Sequence, residues 1–340
     1  MTQSNHRAAI IFADGVTQFI QVEQQETLLD AAFRQGITLP LDCREGVCAT
    51  CRGRCESGRF ALEYVDEDAL SADELAQGYM LACQTRLLSD GAFYFDSDSS
   101  VCSIVPQRYT ARVSSVTPVA ENVVRLEMAL DPGQPALHYL PGQYARIEIP
   151  GGSGSRAYSW ASACTPQENR MAFLIRLLAQ GAMSDYLRQR CQPGDTLSFS
   201  APFGAFYLRE VTRPLLLIAG GTGLSPLLSM LESLAQSGCT QPIRLWYGVR
   251  FQQELCELER LDALTQQLSD FSYQRVVSRP DDSWHGKRGR ITDVLEASQL
   301  QQPFDAYLCG PPAMVVATCD WLESQPLAEH RVCFERFVSS

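Results

Sequence analysis

The sequence predicts three domains in series: a small α+β domain, an antiparallel β-barrel and a doubly wound α/β domain. Three observations predict this. Three cysteines crowd the run from Asp42 to Cys51, and a fourth, Cys83, stands alone downstream. From about residue 104 to residue 201, short strand-like segments recur with turn signals between them, as in a barrel. From Leu215 onward, apolar strand-like runs alternate with helical stretches, as in a parallel sheet. The expected divisions are 1–102, 103–208 and 209–340, each of ordinary domain size.

Composition narrows the function classes. Hydrophobic content is 45% and charged content 20%, ordinary for a water-exposed globular chain. No apolar run reaches the length of about 18 residues that a membrane helix needs. The segment Met1–Arg7 is not a basic stretch leading into an apolar core, so a signal peptide is not expected. A cytoplasmic location without a membrane partner follows. A net charge of -11 argues against nucleic-acid binding. Thirteen cysteines could suggest disulfides, but most are scattered singly. In a cytosolic chain of this size, a dense cluster points to metal.

In the first domain, Ala8–Phe12 reads as a strand, Asp14-Gly15 as a hairpin turn and Val16–Val22 as the returning strand. Thr27 is placed to cap a helix through Leu28, Leu29, Ala31, Ala32 and Phe33, with Gly36 as its stop. Leu39-Pro40-Leu41 leads into the cysteine loop. Cys43, Cys48 and Cys51 follow the spacing C-x4-C-x2-C. Three thiolates from one short loop must converge on a small cluster, with backbone N–H groups aimed at the sulfurs. Gly46, Gly53 and the small Ala49 permit that approach. The spacing alone also admits zinc. With Cys83 as the distant fourth thiolate, the expectation is a [2Fe–2S] cluster on Cys43, Cys48, Cys51 and Cys83, with Cys55 and Cys102 outside the ligand set.

Residues 1 to about 100 resemble a plant-type ferredoxin domain, and Cys-Arg-Glu-Gly-x-Cys matches its cluster loop. Ala49 departs from the glycine common there; if the position needs a positive φ, Ala49 carries strain. Asp66, Glu67, Asp68, Asp73 and Glu74 form an acidic run before Cys83. It reads either as a solvated face or as a docking rim for an electron acceptor.

The middle strands are expected at 108–116, 123–130, 143–149, 157–161, 171–178 and 196–201, with a helix around 183–190. Asp131-Pro132-Gly133, Pro141-Gly142, Gly151–Gly154 and Pro193-Gly194-Asp195 are the turn signals. Arg156-Ala157-Tyr158-Ser159 places a cation and a phenol on one strand face. That pair suits an anionic ligand with a ring, and Ser159 adds a hydroxyl for a ring nitrogen. Gly181-Ala182-Met183-Ser184 opens a helix whose N-terminus suits a pyrophosphate. Each motif alone is common; G-x-x-S before a helix is ordinary capping. Together, after a ferredoxin-like domain, they resemble the flavin domain of the ferredoxin–NADP reductase superfamily. The resemblance implies FAD bound by Arg156, Tyr158, Ser159, Gly181, Met183 and Ser184. FMN is disfavoured because FMN-using relatives usually carry the ferredoxin at the C-terminus. Pro202-Phe203-Gly204 followed by a strand Phe206–Leu208 matches that family's exit from the flavin domain.

In the last third, Leu215–Ala219 is a buried strand ending in Gly220-Gly221-Thr222-Gly223. A helix follows to about Gly238, then strand 243–249, helix 254–268, strand 271–277, a short helix from Thr292, strand 306–309, helix 313–324 and strand 332–337. A second glycine turn, Cys309-Gly310-Pro311, ends another strand at the same sheet edge, where ligands of such sheets bind. The pair resembles the nicotinamide domain of the same superfamily. This implies cofactor binding by Gly220, Gly221, Thr222, Gly223, Cys309, Gly310 and Pro311, with Cys309 near the nicotinamide. The resemblance also makes Phe337 the near-terminal aromatic that stacks on the flavin, with Glu335 beside it. Ser159, Cys309, Glu335 and Phe337 are thus the candidate catalytic set. Arg250 and Arg279 stand where NADPH-binding cations could lie, and no acid marks the end of the second strand. The relatives implied by the resemblance prefer NADH, which is expected over NADPH.

Histidines 6, 138, 285 and 330 show no ligand spacing, so a Rieske centre in this chain is unsupported. Hydride carries two electrons, a [2Fe–2S] cluster takes one, and a flavin converts between them. The expected order is NADH, FAD, cluster, external acceptor. The whole chain resembles reductase components of bacterial aromatic ring-hydroxylating dioxygenases of the benzoate and anthranilate 1,2-dioxygenase type. That implies a Rieske-type oxygenase component as partner. The alternatives are the reductase of a di-iron phenol- or methane-type monooxygenase, and an iron–sulfur carrier or redox sensor without reductase activity.

Overall fold

The computed structural model describes residues 5–102, 104–152, 154–164 and 170–337. Ser153 of the expected glycine turn lies outside them. The chain divides into two compact units, Met1–Pro106 with Pro202–Ala205, and Gln107–Ala201 with Phe206–Ser340.

The first unit contains β1 (His6–Phe12), β2 (Thr17–Val22), α1 (Leu28–Arg34), β3 (Arg52–Ser57), β4 (Phe60–Leu62), α2 (Ala72–Ala76), β5 (Tyr79–Leu81), β6 (Thr85–Leu87), β7 (Gly91–Phe95) and α3 (Ser99–Cys102). Its main sheet has the order β2-β1-β7-β3-β5, and β4 pairs with β6. The β1–β2 hairpin turns at Gly15, whose φ of 80° suits glycine. Thr27 caps α1 by accepting from the Asp30 N–H at 3.1 Å. The helix lays Leu28, Leu29, Ala31 and Ala32 into a core with Ile10, Phe93 and Phe95.

The acidic run is partly structural. Ser71 and Glu74 form a reciprocal capping box at the start of α2. Glu74 also pairs with Arg52 at 3.1 Å. Asp66 accepts from Tyr64 and from the Asp68 N–H. Glu67, Asp68 and Asp73 remain exposed.

The second unit opens with β8 (Gln107–Ala120), β9 (Val123–Leu130), β10 (Tyr144–Glu148), β11 (Ser155–Ser159), β12 (Arg170–Arg176), α4 (Ala182–Gln189) and β13 (Thr196–Phe203). The order β11-β10-β13-β8-β9-β12 leaves β11 and β12 at its ends. A single antiparallel bridge between Trp160 and Phe173 joins those ends, so the sheet closes into the expected barrel. Trp160 fills the interior, stacked on Tyr139 at 4.2 Å and tilted against Phe173 at 4.6 Å.

The rest alternates: β14 (Leu215–Gly220), α5 (Leu224–Gln236), β15 (Ile243–Val249), α6 (Leu258–Gln267), β16 (Phe271–Val277), β17 (Lys287–Arg288), α7 (Ile291–Val294), β18 (Phe304–Gly310), α8 (Pro312–Ser324) and β19 (His330–Arg336). The sheet order is β17-β16-β15-β14-β18-β19, and every pairing is parallel. The strand order reverses between β14 and β18, which is the switch point of a doubly wound sheet.

Two expected elements differ. Phe206–Leu208 is not a strand. It is a connector whose Phe206 and Tyr207 are buried, and whose Leu208 N–H bonds only the turn carbonyl of Pro141, at 2.8 Å. The helix expected from Glu254 begins instead at Leu258. Glu254 ends a short 3₁₀ turn and folds its carboxylate back to the N–H groups of Arg250 and Phe251. Glu257 then adopts a left-handed φ of 59°, which breaks the helical path.

Candidate functional site

The cysteine loop leaves α1 and returns into β3. Its chain reversals place Arg44, Gly46 and Ala49 at positive φ, of 62°, 79° and 55°. A Cβ on Gly46 would strike the Tyr64 carbonyl, so this approach is open only to glycine. The four sulfurs fall into two hydrogen-bonded pairs, Cys43 with Cys48 and Cys51 with Cys83. Within each pair one thiol is pulled down by the bond it receives and its partner is pushed up. Cys43 and Cys83 are the lowered members, Cys48 and Cys51 the raised ones.

Backbone and side-chain donors converge on the same sulfurs. The Glu45 N–H reaches Cys43 Sγ at 3.4 Å, Gln84 Nε2 reaches Cys83 Sγ at 3.7 Å, and the Gly46 N–H also serves Cys83. Such donors stabilise thiolates. Among the described residues, no three His, Cys, Asp or Glu side chains converge as one metal site. The two thiol pairs match two metal ions with two thiolates each. The donor set fits a [2Fe–2S] cluster. Cys51 and Cys83 are buried, while Cys43 and Cys48 are partly exposed. Cys55 bonds the Ser57 carbonyl instead.

In the second unit, Arg156 and Tyr158 lie on one face of β11, opposite Ile147 and Ala145 of β10. Burial pushes the Tyr158 phenol up to about 12, with Arg156 acting in the opposite sense. No side chain caps α4 at Gly181. The Ser184 hydroxyl instead accepts from the Leu178 N–H at 3.0 Å, and the Met183 side chain is buried in the barrel core. These two side chains therefore shape the helix start, leaving its first backbone amides without a side-chain cap. A half-buried cation, a phenol on the same face and an uncapped helix start fit a flavin nucleotide.

The two glycine turns end β14 and β18, on either side of the switch point. They interlock. A Cβ on Gly220 would lie 2.6 Å from Met314 Sδ and 2.8 Å from Pro311 Cδ, and one on Gly223 would strike the Cys309 carbonyl. No side chain caps α5. This cradle fits a dinucleotide pyrophosphate.

Beside it, three predicted residues from three strands meet. The Ser159 hydroxyl of β11 donates to Glu335 Oε2 of β19 at 3.2 Å. Cys309 Sγ of β18 lies 4.0 Å from the same oxygen. Cys309 is fully buried; desolvation, and then the Glu335 charge, pushes its thiol well up. The Phe337 N–H donates to the Gly310 carbonyl at 2.8 Å. Its ring packs on the cluster that includes Leu224 and Cys309.

Comparison with known proteins agrees with these geometries. Residues 11–88 match the 2Fe-2S iron-sulfur cluster binding domain, 110–207 the oxidoreductase FAD-binding domain, and 217–320 the oxidoreductase NAD-binding domain. The anthranilate 1,2-dioxygenase electron transfer component of Acinetobacter baylyi is 49% identical across 99% of this chain and 98% of its own length. The chain belongs to the family of dioxygenase electron transfer components. The toluate 1,2-dioxygenase electron transfer component of Pseudomonas putida is 42% identical over 98% of this chain and 99% of its own. Among solved structures, an Amycolatopsis cytochrome P450 reductase is similar with a TM-score of 0.71 and 29% identity, covering 97% of this chain and 98% of that one.

As a dioxygenase electron transfer component, the chain carries 2Fe–2S, FAD-binding and NAD-binding domains. Sequence reasoning missed one residue at the nucleotide edge. Glu254 Oε2 accepts from the Arg250 N–H at 2.9 Å, and its other oxygen lies 3.7 Å from the Arg250 guanidinium. An acid therefore does stand at the end of β15, supplied by the next turn and not by the strand. The adjacent Arg279 N–H bonds the Arg250 carbonyl at 2.8 Å. A signal was present: an acid four residues past the strand end can fold back as a cap.

Proposed function

We propose that this chain is the NADH-dependent reductase of a benzoate- or anthranilate-type aromatic 1,2-dioxygenase, delivering electrons to the oxygenase component. The observation that carries the reading is the meeting of Ser159, Glu335 and Cys309 at the sheet's switch point, in a chain that also holds the paired thiols of the cysteine loop. A flavin held here would supply conversion between a two-electron hydride and the single electrons that a cluster on Cys43, Cys48, Cys51 and Cys83 would take. Arg156 and Tyr158 hold the flavin nucleotide, with the amides at Gly181, Met183 and Ser184 facing its pyrophosphate. Gly220 to Gly223, Gly310 and Pro311 cradle the dinucleotide. The Ser159 hydroxyl, held by Glu335, would offer a polar partner to the flavin ring, and Cys309 would wall the nicotinamide side as a neutral thiol. Phe337, held by its N–H to the Gly310 carbonyl, would be the aromatic that stacks on the flavin.

One feature supports NADH over NADPH. Glu254 accepts the backbone at the ribose end of β15 and lies against Arg250, so a 2′-phosphate would meet a carboxylate there. The close relatives reported above both carry dioxygenase names, which supports this partner over a di-iron monooxygenase. None of the thirteen cysteines is in a disulfide, which suits the reducing cytoplasm. No described helix is long and apolar enough to cross a membrane. We also propose the three-lobe division at 102/103 and 208/209. Glu67, Asp68 and Asp73 form the rim that steers a basic face of the oxygenase; coupled turnover should fall with salt while ferricyanide reduction does not.

The test is anaerobic addition of NADH to purified protein, followed by assay with a benzoate or anthranilate oxygenase component. Bleaching of flavin and cluster absorbance with coupled NADH use is expected. Failure to reduce cytochrome c with either nicotinamide would instead favour the carrier or sensor reading.

A further inference from the structure

Helix α5 is apolar along most of its length, yet Ser225 and Ser229 are fully buried in it. With Glu232 they fall at i, i+4 and i+7, which is one helix face. That face lies against the backbone that runs on from the Arg156–Ser159 strand. The Ser225 hydroxyl donates to the Ser159 carbonyl at 2.8 Å and accepts from the Leu174 N–H of β12 at 3.4 Å. The Ser229 hydroxyl donates to the Ser162 carbonyl at 2.6 Å. Glu232 Oε2 accepts from the Ala163 N–H at 3.0 Å. Arg260 of α6 completes the set, donating to the Ala161 carbonyl at 2.6 Å and to Glu232 Oε1 at 2.5 Å.

These contacts sit at one place in the fold. β11 and β12 are the two ends of the barrel sheet, joined at the Trp160–Phe173 bridge and, just beyond it, by the Ala161 N–H to the Ala172 carbonyl at 2.7 Å and the Ala172 N–H to the Ser162 hydroxyl at 3.1 Å. Ser225 spans that seam, holding a carbonyl of one end and an amide of the other. The same helix begins at the Gly220–Gly223 turn. One rigid rod therefore bears the dinucleotide cradle at its start and grips the flavin strand along its side. Hydroxyls buried in an apolar helix cost free energy unless bonded, and here both hydroxyls donate to carbonyls of the same stretch, Ser159 and Ser162.

We propose that Ser225, Ser229 and Glu232 are positioning residues for hydride transfer, setting the nicotinamide cradle in register with the flavin-binding strand. The proposal rests on the reductase reading above. Alignment of donor and acceptor carbons is what such a register controls, and misplacement by about 1 Å costs on the order of a hundredfold in rate. Of the residues assigned to either nucleotide, the side chains of this set bond only the backbone carbonyl of Ser159; none of their hydrogen bonds goes to Arg156, Tyr158 or the Gly220–Gly223 turn.

The experiment compares wild type, Ser225→Ala, Ser225→Ala with Ser229→Ala, and Ser225→Thr in anaerobic stopped flow with NADH and 4-deuterated NADH. Expected for the alanine variants is a limiting rate of flavin reduction lower by about tenfold or more, with NADH half-saturation changed by less than about twofold. Flavin content should be normal, the isotope effect larger, and Ser225→Thr close to wild type. In the flavin-free protein, amide exchange at Leu174 should quicken in the Ser225→Ala variant. Should an alanine variant fail to accumulate, Ser225→Cys keeps the volume with a weaker donor and predicts the same split. A limiting rate within about twofold of wild type, or a loss that follows flavin content with the isotope effect unchanged, overturns the proposal. Wild-type protein that NADH does not reduce would instead overturn the reductase reading itself, and this proposal with it.

Discussion

Ala49 has a φ of 55° in a loop where its neighbour Gly46 has 79°. An L-residue with a Cβ is disfavoured there by roughly 1–2 kcal/mol. Ala49→Gly should therefore stabilise the cluster-bearing unit by about 1 kcal/mol, less what glycine loses in chain entropy. The expected result is a higher urea midpoint for bleaching of cluster absorbance; an unchanged midpoint would mean the loop stores no strain at this residue. Cys309 gives a second residue-scale expectation. Burial raises its pKa in the folded state. The folded protein thus holds this proton more tightly than the unfolded chain. Its contribution to stability is complete below the unfolded thiol value of about 8.5 and declines as pH rises above it. Cys309→Ser, which does not titrate there, should lose less stability between neutral pH and pH 10, as read by urea unfolding across pH.

At the scale of elements, α6 starts late because Glu257 is needed elsewhere. Its carboxylate is fully buried between Arg125 of β9, at 3.0 Å, and Arg260 of α6, at 2.8 Å. It accepts a left-handed backbone to reach them. Removing one member of a buried charge cluster leaves the others unpaired, at a cost of about 3–5 kcal/mol. Glu257→Gln should lower the urea midpoint for flavin release, while leaving cluster absorbance to be lost at its original midpoint. Loss of both together would show that the two units unfold as one.

At the scale of the whole molecule, the two compact units predict separable chemistry. Cys83→Ser removes one thiolate of the Cys51–Cys83 pair. It should abolish the visible spectrum of the cluster and electron delivery to the oxygenase, while NADH-dependent ferricyanide reduction continues. Loss of ferricyanide reduction as well would mean the second unit needs an intact first unit to fold.

The sequence by itself determined the chemistry that depends on local spacing. C-x4-C-x2-C needs one short loop, R-x-Y-S one strand face, and each glycine turn one strand-to-helix junction, so the cofactors and the order of domains were legible. The expected strands fell within a few residues of those observed, since apolar alternation is a local signal. Tertiary structure alone decided what lies between. Ser159 and Glu335 meet across 176 residues of chain, Ser225 reaches the barrel seam, and Glu254 and Glu257 leave the helical path that their spacing suggests. Phe206–Leu208 has strand-like residues but no strand to pair with. Except for Glu254, which folds back on its own turn, the deciding partner lies far away in sequence. Burial makes leaving that partner unmet costly, and only the folded arrangement of strands shows where it is.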